Sequence, residues 1–148
     1  MPRRILVPLD RTPLAEALVP IAAALAQGAG AVVRLVHVAP EPQSVLDTKG
    51  RIVVYADQER ASFESAGMDY LRLMEEQFRL SPVDSVVRFG DPVTEVLGEA
   101  ESFDADLIVV SSAGRSAIRR EVFGSVAEDL LRRAPCPVFL YSARLTRP

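Results

Sequence analysis

Short apolar runs alternate along this chain with stretches whose apolar residues recur at helical spacing. Arg4-Ile5-Leu6-Val7-Pro8-Leu9 is too apolar for a half-solvated strand and too short for a helix, which predicts a strand buried on both faces. Thr12 then stands where a helix cap belongs, with Pro13 in the first turn, where no amide partner is lost. Leu14, Ala17, Leu18, Ile21 and Leu25 fall on one side of the predicted helix. Pro20 lies inside it and is expected to bend it, and Gly28 and Gly30 end it. Val32 to Val38 is the second predicted strand. The polar segment that follows, Pro40 to Lys49, is expected to be an exposed, mobile loop.

A long helix is predicted from Asp57 to Leu80, with Phe63, Ala66, Tyr70, Leu73 or Met74, and Gln77 along one side, stopped by Ser81-Pro82. Val83 to Phe89 is the third strand. Asp91 caps a helix opened by Pro92, with Val93, Val96, Leu97 and Ala100 inward. Leu107 to Val110 and Val138 to Tyr141 are the fourth and fifth strands. The alternation predicts an α/β, Rossmann-like single domain over residues 1–148, its parallel sheet covered by helices on both faces. In such sheets ligands sit beyond the carboxyl ends of the strands.

Composition narrows the partners. The 148 residues are 49% apolar and 25% charged, with net charge -3 and a sequence pI near 5.2, so no broad basic surface for nucleic acid is expected. Lys49 is the only lysine, so an anion bound elsewhere meets arginine, which can donate two parallel hydrogen bonds. Cys136 is the only cysteine, which excludes an intrachain disulfide and a cysteine-built metal site. No apolar run approaches a membrane span and the N-terminus has no signal-peptide core, so a cytoplasmic protein without a membrane partner is expected.

The segment from Ser111 to Asp129, SSAGRSAIRREVFGSVAED, lies at the rim where this architecture keeps its sites. Ser125-Val126-Ala127-Glu128 has the form of a capping box, so a helix begins at Ser125 with its amides turned back toward the loop. Gly114 and Gly124 let backbone approach a bound group. Arg115, Arg119 and Arg120 supply charge, and Ser112, Ser116 and Ser125 supply hydroxyls, a set suited to phosphate. The same residues also suit an ordinary strand-to-helix connection with solvated arginines. Phosphate-loop, dinucleotide and nucleophile-elbow motifs are absent. His37, the only histidine, has no accompanying nucleophile motif and reads as a partly buried strand-end residue.

The frame of Gly114, nine residues, then Gly124-Ser125 resembles that of the universal stress protein family, whose nucleotide-binding members carry G-x-x-G-x9-G-[ST]. ILVPLD at Ile5–Asp10, LVHV at Leu35–Val38, GDP at Gly90–Pro92, DLIVV at Asp106–Val110 and GSVAEDLLRRAPCPV at Gly124–Val138 follow in family order. The resemblance implies a five-stranded sheet of order 3-2-1-4-5 and a homodimer joined through Val138–Tyr141. It also implies ATP or a related adenine nucleotide as ligand, with Mg²⁺ able to enter through the phosphates. By position, Pro8, Leu9 and Asp10 lie by the nucleoside, the Val38 backbone meets adenine, and Val110 and Ser111 lie near the ribose. Gly114, Arg115, Ser116, Gly124, Ser125 and Val126 surround the phosphates. Ser111 departs from the pattern, because the family's first motif glycine belongs there; a negative φ would make serine cheap and a positive one would strain it. Two readings follow from the resemblance: a nucleotide-binding regulatory module of the stress response with at most slow ATP hydrolysis, or a nucleotide-free dimer acting through protein contacts.

Overall fold

The computed structural model describes residues 1–112 and 125–142, the side chains at 45, 53 and 54 excepted. In chain order the elements are β1 (Arg4–Pro8), α1 (Pro13–Ala29), β2 (Val32–Ala39), β3 (Val45–Leu46), β4 (Ile52–Val54), α2 (Ala56–Glu75), β5 (Val83–Phe89), α3 (Pro92–Phe103), β6 (Leu107–Ser111), α4 (Ser125–Arg133) and β7 (Val138–Tyr141), with a 3-10 turn at Glu76–Phe78 after α2. Five strands form one parallel sheet in the order β5-β2-β1-β6-β7, the expected 3-2-1-4-5 arrangement.

Strand alternation divides the core. Ile5, Val7, Val33, Leu35 and Val109 point to one face, where they meet Ala15, Leu18, Ala22, Leu71 and Phe78 from α1, α2 and the 3-10 turn. Leu6, Val36, Ile108 and Val110 point to the other, against Val93, Val96 and Phe103 of α3 and Leu130 of α4. Gly67 lets α2 lie close on the sheet: a Cβ there would stand 2.9 Å from Val87 Cγ2 and 3.2 Å from His37 Cδ2. A charged cluster fastens α3 to β2 and β5. Glu99, almost fully buried, accepts from Arg34 Nη1 and Arg88 Nη1 at 2.9 Å each. Arg34 also grips Asp84 with two bonds of 2.9 Å, and Arg88 Nε donates to Glu95 at 3.0 Å.

Three expectations change. The buried side of α1 is Ala15, Leu18, Val19, Ala22 and Ala26, whereas Leu14, Ile21 and Leu25 are half-buried and Ala17 is exposed. Alanine lets the helix approach the sheet, and a helix apolar on nearly every side leaves periodicity unable to choose the inner one. It also continues through the exposed Pro20. The second long helix ends at Glu75, and its core residues are Gly67, Leu71 and Met74, followed by Phe78; Leu73 and Gln77 face out. The expected Pro40–Lys49 loop instead enters an antiparallel hairpin, β3–β4. Asp47 ties its turn by accepting from Lys49 N at 2.8 Å and Arg51 N at 2.9 Å, and Gly50 takes the left-handed φ of 79° that this turn needs.

Candidate functional site at the carboxyl ends of the strands

The topology places its switch point between β1 and β6, since the chain winds from β1 toward β2 and β5 on one side and toward β6 and β7 on the other. The two strands pair through Ile5–Leu107 and Leu6–Ile108, yet β1 runs on to Pro8 and β6 to Ser111. Over the same length β1 keeps its register with β2 to Pro8–Val36, and β6 keeps its register with β7 to Ser111–Tyr141. The β1–β6 ladder therefore stops at Leu6–Ile108, short of the carboxyl ends of both strands.

The first wall is the turn from β1 into α1. Leu9 N donates to the Val36 carbonyl at 2.8 Å, and the Leu9 carbonyl accepts from His37 Nδ1 at 2.9 Å. The imidazole is thus a half-buried strand-end group, as its isolation in the sequence implied. Asp10 is exposed; its Oδ1 accepts from Thr12 N at 3.1 Å and Thr12 Oγ1 at 2.6 Å, leaving Oδ2 without a partner among the described residues. Thr12 Oγ1 in turn caps α1 by accepting from Ala15 N at 3.2 Å. Between them Arg11 is held at a φ of 67°, a left-handed backbone that costs an arginine about 1 kcal/mol. Its guanidinium lies 5.5 Å from the centre of the Tyr70 ring, and His37 meets the same ring edge-on. Burial, with the nearby Glu16 and Asp10 carboxylates, pushes the Tyr70 hydroxyl up to about 12, with the charge and backbone of Arg11 pulling weakly the other way. Arg11 was not singled out in the sequence, and Tyr70 was placed there only on the inner side of the long helix. Positive φ has no signature in an arginine, and the face of α2 was assigned by periodicity alone.

The second wall is the end of β6. Val110, Ser111 and Ser112 are buried, and Ser112 N donates to the Tyr141 carbonyl at 2.8 Å. The described non-glycine residues with positive φ are Arg11 and Asp104, so Ser111 sits in ordinary extended backbone and carries none of the strain its place in the motif raised. Ser125 opens α4, as expected, and both Ser125 and Val126 are exposed at the helix start. Because β7 runs parallel to β6, the intervening α4 runs back along the sheet and starts toward the carboxyl ends of the strands. Pro8 ends β1 with Leu9 and Asp10 following it, and Val110 and Ser111 end β6, so the five lie at the same edge of the sheet where the β1–β6 ladder has stopped. Val38 lies on the neighbouring strand, half-buried and packed on the α3 side. Gly114, Arg115, Ser116 and Gly124 lie outside the described residues.

Burial, followed by the Asp106 carboxylate, pushes the Cys136 thiol upward and so keeps it protonated at neutral pH. Among the described residues no three His, Cys, Asp or Glu side chains converge as metal ligands, and no helix is long and apolar enough to cross a membrane.

Comparison with known proteins matches residues 1–142 to the model of the universal stress protein family. A universal stress protein of Methanothermobacter thermautotrophicus is 39% identical over 56 residues, 38% of this chain and 38% of that one. The matched stretches span between 27% and 38% of the length of the curated relatives compared. Among solved structures, hypothetical protein MJ0577 superposes with a TM-score of 0.82 at 19% identity, covering 97% of this chain and 98% of the other. A universal stress protein in complex with cAMP gives 0.70 at 18% identity, with 95% and 97% covered. The Archaeoglobus fulgidus universal stress protein in complex with dAMP gives 0.61 at 20% identity, with 93% and 96% covered. With strand order, switch point and family model in agreement, the chain belongs to the universal stress protein family.

Proposed function

We propose that this protein is an adenine-nucleotide-binding regulatory module of the stress response. The observation that carries the reading is the parting of β1 from β6 beyond Leu6 and Ile108, which opens the sheet at its switch point. Solved members of this fold in complex with cAMP and dAMP support adenine as the base. In this reading Pro8, Leu9 and Asp10 lie along the nucleoside, with the free Asp10 Oδ2 toward a ribose hydroxyl and the Val38 backbone toward adenine. Val110 and Ser111 border the ribose. Gly114, Arg115, Ser116, Gly124, Ser125 and Val126 hold the phosphates of ATP, with Mg²⁺ bound through them. Binding rather than fast turnover is the proposed activity, in the cytoplasm, with β7 (Val138–Tyr141) joining two copies.

The test is to denature freshly purified protein, identify released nucleotide by mass spectrometry, and titrate the emptied protein with ATP, ADP, AMP and cAMP by calorimetry. Adenine nucleotide near one per chain, lost in Gly124→Glu, supports the proposal. Empty protein that binds none of the four overturns it and leaves a dimer acting through protein contacts.

A further inference from the structure

Arg11 occupies a position that folding alone does not favour for it. It stands in the turn from β1 into α1, at the carboxyl end of a strand that flanks the switch point, with a left-handed φ of 67°. Glycine takes that conformation at no steric cost. What arginine adds is a place over the Tyr70 ring, 5.5 Å from its centre. The residue is exposed, and a cation–π contact at an exposed site is worth no more than the backbone strain beside it. Packing and backbone together therefore leave arginine no better than glycine here. Strained residues that the fold does not require cluster at ligand clamps.

The charges around the turn decide what such a clamp holds. Asp10, next to Arg11, is exposed, and Glu16 in the first turn of α1 is half-buried. Both carboxylates act on the Tyr70 hydroxyl more strongly than the Arg11 charge opposes them, so the field beside the β1 turn is negative in spite of the arginine. An anion arriving at this edge of the sheet is repelled by both unless a cation answers it. Arg11 is such a cation. The ion pairs among the described residues take up Arg34, Arg51, Arg88 and Arg132, and Arg11 is in none of them. With its guanidinium over Tyr70, its N–H groups remain to donate in the planar pair that matches a phosphate. The ring is itself held in place: His37 meets it edge-on with 6.2 Å between centres, and His37 Nδ1 is fixed on the Leu9 carbonyl. The guanidinium is thus positioned before a ligand arrives, which lowers the entropy lost on binding.

We propose that Arg11 binds the phosphate carried directly on the ribose and so sets the preference of this site for nucleotides over the free nucleoside, which rests on the adenine-nucleotide reading in which neighbouring Asp10 meets the ribose. That phosphate is common to AMP, ATP and cAMP and is missing from adenosine. Calorimetric titration of the full-length protein, stripped of nucleotide, with adenosine, AMP and ATP tests it on the parent, Arg11→Gly, Arg11→Gln and Arg11→Lys. Urea unfolding of each without ligand runs beside it. The expected result for Arg11→Gly is a split. Affinity for AMP falls about tenfold or more while that for adenosine stays within about twofold, and the urea midpoint stays at or above the parental one. Arg11→Gln, which loses the charge, gives the same loss for AMP, and Arg11→Lys restores part of it. A parent that binds adenosine as tightly as AMP, or an Arg11→Gln protein that keeps the parental ratio, overturns the inference and leaves the nucleotide reading standing. A lowered urea midpoint with AMP and adenosine weakened alike assigns Arg11 to the fold and overturns it too. A parent that binds none of the three ligands overturns both.

Discussion

Ser111 is the residue on which the motif and the backbone had to be reconciled. A glycine earns its place where φ is positive or where a Cβ would collide, and Ser111 sits in strand β6 with extended backbone. Ser111→Gly is therefore expected to leave nucleotide affinity within a few-fold of the parent in calorimetry, while loosening the strand by about 0.5–1 kcal/mol in urea unfolding. A gain in affinity of tenfold or more would show that the serine side chain intrudes on the ligand. Tyr70 makes a second prediction at this scale. Its hydroxyl is raised by burial and by the Glu16 and Asp10 carboxylates to about 12, from an ordinary value of 10.0. A group raised on folding favours the folded state while it stays protonated, so its contribution is complete below pH 10 and is lost as pH rises toward 12. Absorbance titration at 295 nm should show one tyrosine ionising last, and Tyr70→Phe should remove that step and flatten the alkaline loss of stability.

At the scale of elements, the strands were legible because burial on both faces produces short, nearly continuous apolar runs such as Ile5-Leu6-Val7. The caps of α1 and α3 were legible because Thr12 and Asp91 each precede a proline in the first turn, and both side chains do cap. The inner side of α1 was not, since Leu14, Ile21 and Leu25 compete with alanines that the sheet prefers for closeness. That correction is measurable. Leu18→Ala, at a fully buried position, should cost about 3 kcal/mol, with Leu14→Ala clearly milder in the same denaturant series. The cluster joining α3 to the edge of the sheet was also invisible, because Arg34, Asp84, Arg88, Glu95 and Glu99 lie in three separate elements. Removing the central carboxylate leaves two arginine side chains, about a quarter exposed, without their shared acceptor. Glu99→Ala is expected to destabilise by about 3 kcal/mol, the lower end of the range for broken buried pairs. Glu99→Gln, which keeps an acceptor oxygen, should lose less. Equal losses from the two would mean that packing rather than charge pairing holds α3.

For the molecule as a whole, the hairpin between β2 and α2 offers a single chemical handle. Lys49 is the only lysine of the chain and is exposed in the hairpin turn. A lysine-specific protease should cut the native protein once, and the two fragments should remain together on gel filtration because β1, β2 and α1 on one side of the cut pack against β5, β6 and α2 on the other. Resistance at Lys49 under native conditions would show the turn to be held more firmly than Asp47 and Gly50 alone imply. The sequence by itself determined the number of strands in the main sheet and the ends of most elements, since apolar runs and caps are local and survive without tertiary contacts, and its motif spacing pointed to the family, whose resemblance implied the strand order. Tertiary structure decided which side of α1 is buried, where β1 and β6 part, that Ser111 lies in unstrained extended backbone, and that distant arginines and carboxylates share one buried cluster. Each of these depends on how far apart two elements stand, a distance set by the packing of side chains from segments remote in the chain.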